Sequence, residues 1–270
     1  MLENCKLGVT SFFGPGVPNE PTHKNTIRAE IIRFLLLGGC EKNPVHAKGV
    51  QIFGAWIESK LNLEAIDTPR ELIAFDCRFS MPIEMRDARL GSLNLSGSRI
   101  AELSAQCARF DRNLMLRNKF CASGTVDLGG ARIGGQLNCD GGQFEAEGND
   151  ALNCHQLVVE ESVFLQNGFR ATGPVDFGSA RIGGQLTCSG GQFEAEGNRA
   201  LMCQRLFVAG SVFLSDGFRA AACVDFGSAR IGGQLNCSGG QFEAKGNQAL
   251  TCDQLVVEES LPPFKRHALI

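Results

Sequence analysis

From Ile83 to Arg112 the chain reads IEMRD-ARLGS-LNLSG-SRIAE-LSAQC-ARFDR, six consecutive units of five residues. Their centres are Met85, Leu90, Leu95, Ile100, Ala105 and Phe110. Two places before each centre stand Ile83, Ala88, Leu93, Ser98, Leu103 and Ala108, mostly small or apolar. Alternation sends the first and third residue of such a triplet to one side and the middle residue to the other. A triplet is too short to bury anything alone, so successive turns of chain must stack on one another.

The same logic extends downstream in a longer form. The string ARIGGQL begins at Ala131, Ala180 and Ala229, a spacing of 49 residues, and a period of that size marks a repeat architecture. Each 49-residue unit divides at a phenylalanine: Phe120, Phe144, Phe169, Phe193, Phe218 and Phe242 follow at alternating intervals of 24 and 25. One half runs Phe169-Arg-Ala, Val175-Asp-Phe177, Ala180-Arg-Ile182 and Leu186-Thr-Cys188. The next runs Phe193-Glu-Ala, Leu201-Met-Cys203, Leu206-Phe-Val208 and Val212-Phe-Leu214. Matching triplets at matching offsets predict that residues 24 or 25 apart lie above one another along a wound column.

The five-residue units over Ile83–Phe110 resemble the pentapeptide-repeat family. That resemblance implies an all-β, right-handed parallel β-helix with four five-residue faces to each turn. It continues to about Ser260 with faces lengthened, so the turns grow from about 20 to 24 or 25 residues. The lengthening is visible as EAEGN, EAEGN and EAKGN after Phe144, Phe193 and Phe242, segments suited to a corner loop. Val50-Gln-Ile52, Ala55-Trp-Ile57 and Leu61-Asn-Leu63 give an earlier turn. The expected organisation is an N-terminal segment over 1–44, a solenoid over 45–260, and a divergent tail over 261–270. Nine or ten turns stacked at about 4.8 Å make a rod on the order of 45 Å long. The whole chain, including RAEIIRFLLLGG and VHAKGVQIFGA, is also similar to uncharacterised bacterial proteins, some labelled "membrane-associated oxidoreductase". The residues give that label no support.

An uncovered sheet edge is an aggregation template. Thr26 to Leu37 reads as a short capping α-helix, N-capped by Asn25 or Thr26, with Ile27, Ile31, Phe34 and Leu35 on one stripe and Gly38-Gly39 ending it. At the other end Pro262 and Pro263 cannot donate ladder hydrogen bonds, and Lys265-Arg266 adds charge. Either a built stop or the truncation of a longer array explains that departure.

Composition excludes several function classes. A net charge of −3 argues against a broad footprint for nucleic acid or anionic membrane. No run approaches the ~18 apolar residues of a membrane span, and the N-terminus lacks the apolar core of a signal peptide. A soluble, cytoplasmic protein is expected. Of the 12 cysteines, six fall into two columns: Cys139, Cys188 and Cys237 alternate with Leu165 and Leu214, and Cys154, Cys203 and Cys252 alternate with Phe177 and Phe226. Column neighbours two turns apart stand roughly 10 Å from each other. A disulfide needs Cα atoms within about 7 Å, so these thiols read as core filler. His23, His46, His155 and His267 are scattered, and His155 aligns with Gln204 and Asp253, so no shared metal-ligand role survives the repeat. No cofactor is expected. The Gly134-Gly135, Gly183-Gly184 and Gly232-Gly233 steps open no helix and read as corners, not phosphate loops. Glu145, Arg170, Glu194, Arg219 and Glu243 each follow a ladder phenylalanine and alternate in sign, which predicts cross-strand ion pairs that hold register.

The outward middle positions are the candidate binding surface. Arg132, Val158, Arg181, Phe207, Arg230 and Val256 form one stripe, and Phe164 and Phe213 alternate with Asn138, Thr187 and Asn236 on another. Exposed apolar residues mixed with arginine match the composition of interfaces. The expected function is a non-enzymatic scaffold that presents flat faces to a protein partner, with a homodimer through one solenoid end as an assembly the shape permits. The family resemblance adds a topoisomerase-binding duplex mimic as one alternative. A polysaccharide-cleaving β-helix enzyme is another, and it requires a local, non-repeated group of acids and bases. A truncated paralogue without a role of its own is the third.

Overall fold

Among the described residues most strands are two residues long and none exceeds five, so each owes its existence to the strands above and below it. A computed structural model describes residues 1–146, 148–244 and 248–258. It is a parallel β-solenoid of about nine turns. Four sheets run its length. Sheet 1 has ten strands from Ser11–Phe12 to Leu235–Asn236, and sheet 2 has ten from Thr26–Arg28 to Gln241–Phe242. Sheet 3 has nine from Leu61–Asn62 to Leu250–Thr251, and sheet 4 has eight from Arg89–Leu90 to Val256–Val257. The chain visits them in the order 1, 2, 3, 4, so sheets 4 and 1 share a corner, and sheets 2 and 3 share the diagonally opposite one. Inward residues of all four meet in one continuous core, in which Leu72, Ile83, Leu90, Phe110 and Phe144 are fully buried.

Turn length follows the expected growth with a different rhythm. On sheet 4 Arg89 faces Arg109, 20 positions on. Further along, Arg132 faces Val158, 26 on, and Val158 faces Arg181, 23 on. On sheet 2 the steps are 27 and 22, Gln143 to Arg170 to Gln192. The backbone therefore corrects the expectation that residues 24 or 25 apart are level. Two insertions cause this. The turn through Phe144 carries the EAEGN excursion between sheets 2 and 3. The turn through Phe169 carries a wider corner between sheets 1 and 2, where Asn167 and Gly168 are both left-handed (φ 55 and 87) and the neighbouring turn uses Gly141 alone (φ 65).

The phenylalanine ladder survives because it is built from two backbone positions. Looped turns read Gly142-Gln143-Phe144, and plain turns read Phe169-Arg170-Ala171, with Phe144 level with Ala171. Large and small residues thus trade places from turn to turn. The rings nevertheless meet: Phe120, Phe144, Phe169, Phe193, Phe218 and Phe242 stack with centroids 5.2 to 5.4 Å apart, tilted by 38 to 48°. Tilted pairs at this distance are favourable beyond the area they bury. Glycine at 142 is a matter of space, since a Cβ there would come within 2.8 Å of the Phe144 ring.

The N-terminal cap differs from its expected form. Helix α1, Leu2–Leu7, is an element to which the sequence reading assigns no structure. Helix α2 spans Ala29–Leu36, not 26–37, and Arg28 precedes it as an N-cap without a side-chain hydrogen bond. Thr26–Arg28 is instead a strand, drawn into sheet 2 by pairing with Trp56–Glu58. The buried face also differs from the expected stripe: Ala29, Ile32, Leu35 and Leu36 are buried, and Phe34 is 44% exposed. Sheet 1 likewise begins at Ser11–Phe12, ahead of the expected boundary at Val45, by pairing with Ile52–Phe53. No helix among the described residues is long and apolar enough to cross a membrane. At the far end Leu235, Phe242, Leu250 and Leu255 are only partly buried, and Val257 is 48% exposed. The expectations for Pro262, Pro263 and Lys265-Arg266 lie outside the described residues.

Candidate binding faces

Sheet 4 places its predicted stripe in unbroken register: Arg132, Val158, Arg181, Phe207, Arg230 and Val256 face one another strand by strand. Upstream it continues through Arg109 and Arg89. Arg132, Arg181 and Arg230 are exposed, Val158 and Phe207 are half-buried, and Val256 is exposed. No ion pair among the described residues involves Arg109, Arg132, Arg181 or Arg230, whereas Arg89 is held by Asp111 at 3.2 Å.

Sheet 1 carries the second stripe in the same way. Asn138 faces Phe164, Phe164 faces Thr187, Thr187 faces Phe213, and Phe213 faces Asn236. Phe164 and Phe213 are half-buried, and Asn138 is buried. The two stripes flank the corner formed by Gly134-Gly135, Gly183-Gly184 and Gly232-Gly233. Glycine is needed there for close stacking, since a Cβ on Gly183 would overlap the Glu160 carbonyl of the turn before. The loop opened by Glu194 leaves from the diagonally opposite corner, between sheets 2 and 3.

The charge ladder beside the phenylalanines is only partly realised. Arg170 pairs with Glu194 at 2.7 Å, and Arg219 with Glu243 at 3.0 Å. Each arginine is committed to the glutamate of the following turn. Arg170 is level with Gln143 and Gln192, and Glu145 is left outside the pairs, so the ladder is two separate bridges. The cysteines are free thiols. Cys139 and Cys188 sit level with Leu165 and Leu214, fully buried. Burial pushes the Cys139, Cys154, Cys188 and Cys203 thiols far up, away from the reactive thiolate. Among the described residues no group of His, Cys, Asp and Glu is arranged to hold a metal ion.

One cluster escaped the sequence reading. On sheet 3 Asp127, Asn153, Asp176, Met202 and Asp225 form the outward column. Asp127 accepts from Gly129 N–H at 2.9 Å and from Asn153 Nδ2 at 3.0 Å. His155 Nδ1 lies 3.7 Å from Asp176 Oδ2. Beside them the pKa of Asp150 is raised by burial first, then by Asp176 and Asp127, against the pull of Arg199. The signal was present as a break in the repeat: Asp150 stands where later units have Arg199 and Gln248, and His155 where they have Gln204 and Asp253. No family model, no curated protein and no solved structure matches this chain.

Proposed function

We propose that this chain is a pentapeptide-repeat-like scaffold, without catalysis of its own, that holds a protein partner along the corner between sheets 4 and 1. One observation supports the reading: a stripe of arginine and apolar residues on sheet 4 and a stripe of phenylalanine and polar residues on sheet 1 flank the same glycine corner. A flat face with rigid backbone loses little freedom on binding. Arginine and phenylalanine are residues on which interface energy concentrates or that interfaces enrich. The unpaired Arg132, Arg181 and Arg230 leave their guanidinium forks available to carboxylates of a partner. The test is a pull-down with wild type, with Arg181→Glu/Phe207→Ser, and with the loop-side variant Arg219→Ala. Partners should be lost with the double variant and kept with Arg219→Ala. Recovery of the same partners by all three baits would place the interface elsewhere. A gyrase-protection assay separates the duplex-mimic version from scaffolding in general.

A second reading is favoured by the sheet 3 cluster. Acid–base cleavage of a polysaccharide needs one carboxyl that holds its proton beside others that do not, and Asp150 is the group pushed that way. An Asp whose folded pKa is raised binds its proton more tightly folded than unfolded. It therefore destabilises the fold as pH climbs from the ordinary carboxylate range through the raised value. Asp150→Asn should raise the melting temperature at neutral pH, and the gain should vanish in acid. Turnover of an acidic polysaccharide that disappears in Asp150→Asn and His155→Ala would favour this enzyme over the scaffold.

A further inference from the structure

Sheet 2 carries an outward column of its own, and its N-terminal part is unlike the rest. Trp56 faces Arg78, Arg78 faces Arg99, and Arg99 faces Cys121 on successive strands. Further on, arginine alternates with glutamine, and Arg170 and Arg219 each reach a glutamate. Arg78 and Arg99 have neither relief. They stand on adjacent strands, about 4.8 Å apart along the stack, where like charges directly opposite are destabilising. Among the described residues neither makes an ion pair. The stacked Arg109 and Arg132 of sheet 4 are both exposed, and water screens them, whereas of the sheet 2 pair only Arg99 is exposed. Arg78 is half-buried, with its Cζ 5.5 Å from the centroid of the Trp56 ring and its Nε buried without a hydrogen-bond acceptor. A desolvated donor on a cation calls for an acceptor.

Both side chains line a groove of about 440 Å³, shared with Trp56, Ser80, Cys121 and Ser123. Their field reaches Cys121 in the groove lining: burial and Glu145 push its thiol up, and Arg99 and Arg78 pull it down. Ser80 Oγ is occupied, since it donates to the Ile57 carbonyl at 3.0 Å, and Ser123 also lines the groove.

We infer that this groove binds an oxyanion, a phosphate or carboxylate group of a small molecule, clamped between the guanidinium groups of Arg78 and Arg99. Two guanidinium groups carried on adjacent strands offer several N–H donors to one anion, and charge-assisted bonds of this kind are the strong ones. The anion supplies the counter-charge that neither arginine finds among the described residues. The site lies on the face opposite sheet 4, so it can be occupied whether or not the proposed partner is bound.

Trp56 is the single tryptophan of a chain without tyrosine, so its fluorescence reports on the groove directly. The full chain is titrated at low ionic strength with inorganic phosphate and, separately, with citrate, against chloride at equal ionic strength. A saturable change should appear with at least one of the two, and the tighter one identifies the headgroup. Isothermal calorimetry should show Arg78→Gln and Arg99→Gln each weakening binding by about tenfold or more, and Arg109→Gln binding as wild type. If Arg78→Gln fails to fold, the exposed Arg99→Gln carries the comparison alone. No saturation beyond chloride, or saturation that survives Arg99→Gln unchanged, would overturn the assignment.

Discussion

The turns before Phe120 and the turns after it solve the same packing problem with different repeat units. In the first region each turn is its own unit, 20 to 23 residues long, and the core is mostly aliphatic: Leu93, Leu95 and Leu103 are fully buried beside two buried phenylalanines, Phe79 and Phe110. In the second region the unit is a pair of turns, and neither turn packs properly without the other. Phenylalanine in one is matched by glycine in the next, and leucine or phenylalanine by cysteine. The lesson concerns where function can reside. A paired repeat stamps its surface features every second turn, which yields long regular stripes such as that of sheet 4. A singular site arises where the repeat is absent, as at Trp56, Arg78 and Arg99, or where it is broken, as at Asp150 and His155.

The largest expected effect separates the two kinds of core. Phe193→Ala, which empties the middle of the ladder, should cost about 3–5 kcal/mol in chemical denaturation. The sharper comparison uses leucine. Phe110 is fully buried in a column of Leu90 and Ile133 and, among the described residues, touches no other ring. Phe193 touches two rings. Each aromatic pair contributes about 0.5–1.5 kcal/mol beyond burial, so Phe193→Leu should cost about 1–3 kcal/mol more than Phe110→Leu. Equal costs would mean that the ladder is filler and not a source of stability.

Much of this was legible in the residues. The column of phenylalanines, the alternation of cysteine with leucine and phenylalanine, and the stripes led by Arg132 and by Phe164 follow from triplet alternation alone, and the structure places them accordingly. What was not legible depends on corners. Counting from one phenylalanine to the next gives 24 and 25. Such a count cannot reveal that Asn167 and Gly168 occupy two left-handed positions where Gly141 occupies one. Nor could local pattern show that Thr26–Arg28 abandons a helical stripe for a strand, because its partner, Trp56–Glu58, is thirty positions away. The Arg78–Arg99 pair was missed for the same reason: its two members become neighbours only through strand register.

The second effect tests the complementary half of the ladder. Gly191 lies where a Cβ would come 2.7 Å from the Leu165 carbonyl oxygen and 3.1 Å from the Phe193 ring. Gly191→Ala should cost about 1–3 kcal/mol by overpacking. The loss should shrink when Phe193→Leu is present, since the ring is then gone. Additive losses would show that the glycine answers to the backbone and not to the ring.

A third, smaller effect concerns the corner between sheets 3 and 4, where each turn places one residue in the left-handed region. Gly130 does this without strain, but Gln156 and Arg205 do it with full side chains, at φ 57 and 55. Side chains other than Gly, Asn and Asp are disfavoured there. Arg205→Asn should therefore stabilise the protein by about 1 kcal/mol, read as a higher denaturant midpoint with an unchanged slope. Arg230→Asn, in a strand of the same face, should not.

The smallest effect is the one the sequence advertises most openly. Alternating Glu and Arg beside the ladder look like a zipper, yet Arg170–Glu194 and Arg219–Glu243 are isolated bridges between partly or fully exposed side chains. Exposed pairs of this kind contribute about 0.2–1 kcal/mol, and salt weakens them further. A double-mutant cycle with Arg170→Ala and Glu194→Ala should give a coupling in that range at low salt and less at high salt. Glu145→Ala, which removes a carboxylate outside either bridge, should leave stability unchanged. If Glu145 instead coupled to Arg170 as strongly as Glu194 does, the charges would form a continuous ladder. Register in the paired-turn region would then be set electrostatically as well as by its interlocking rings.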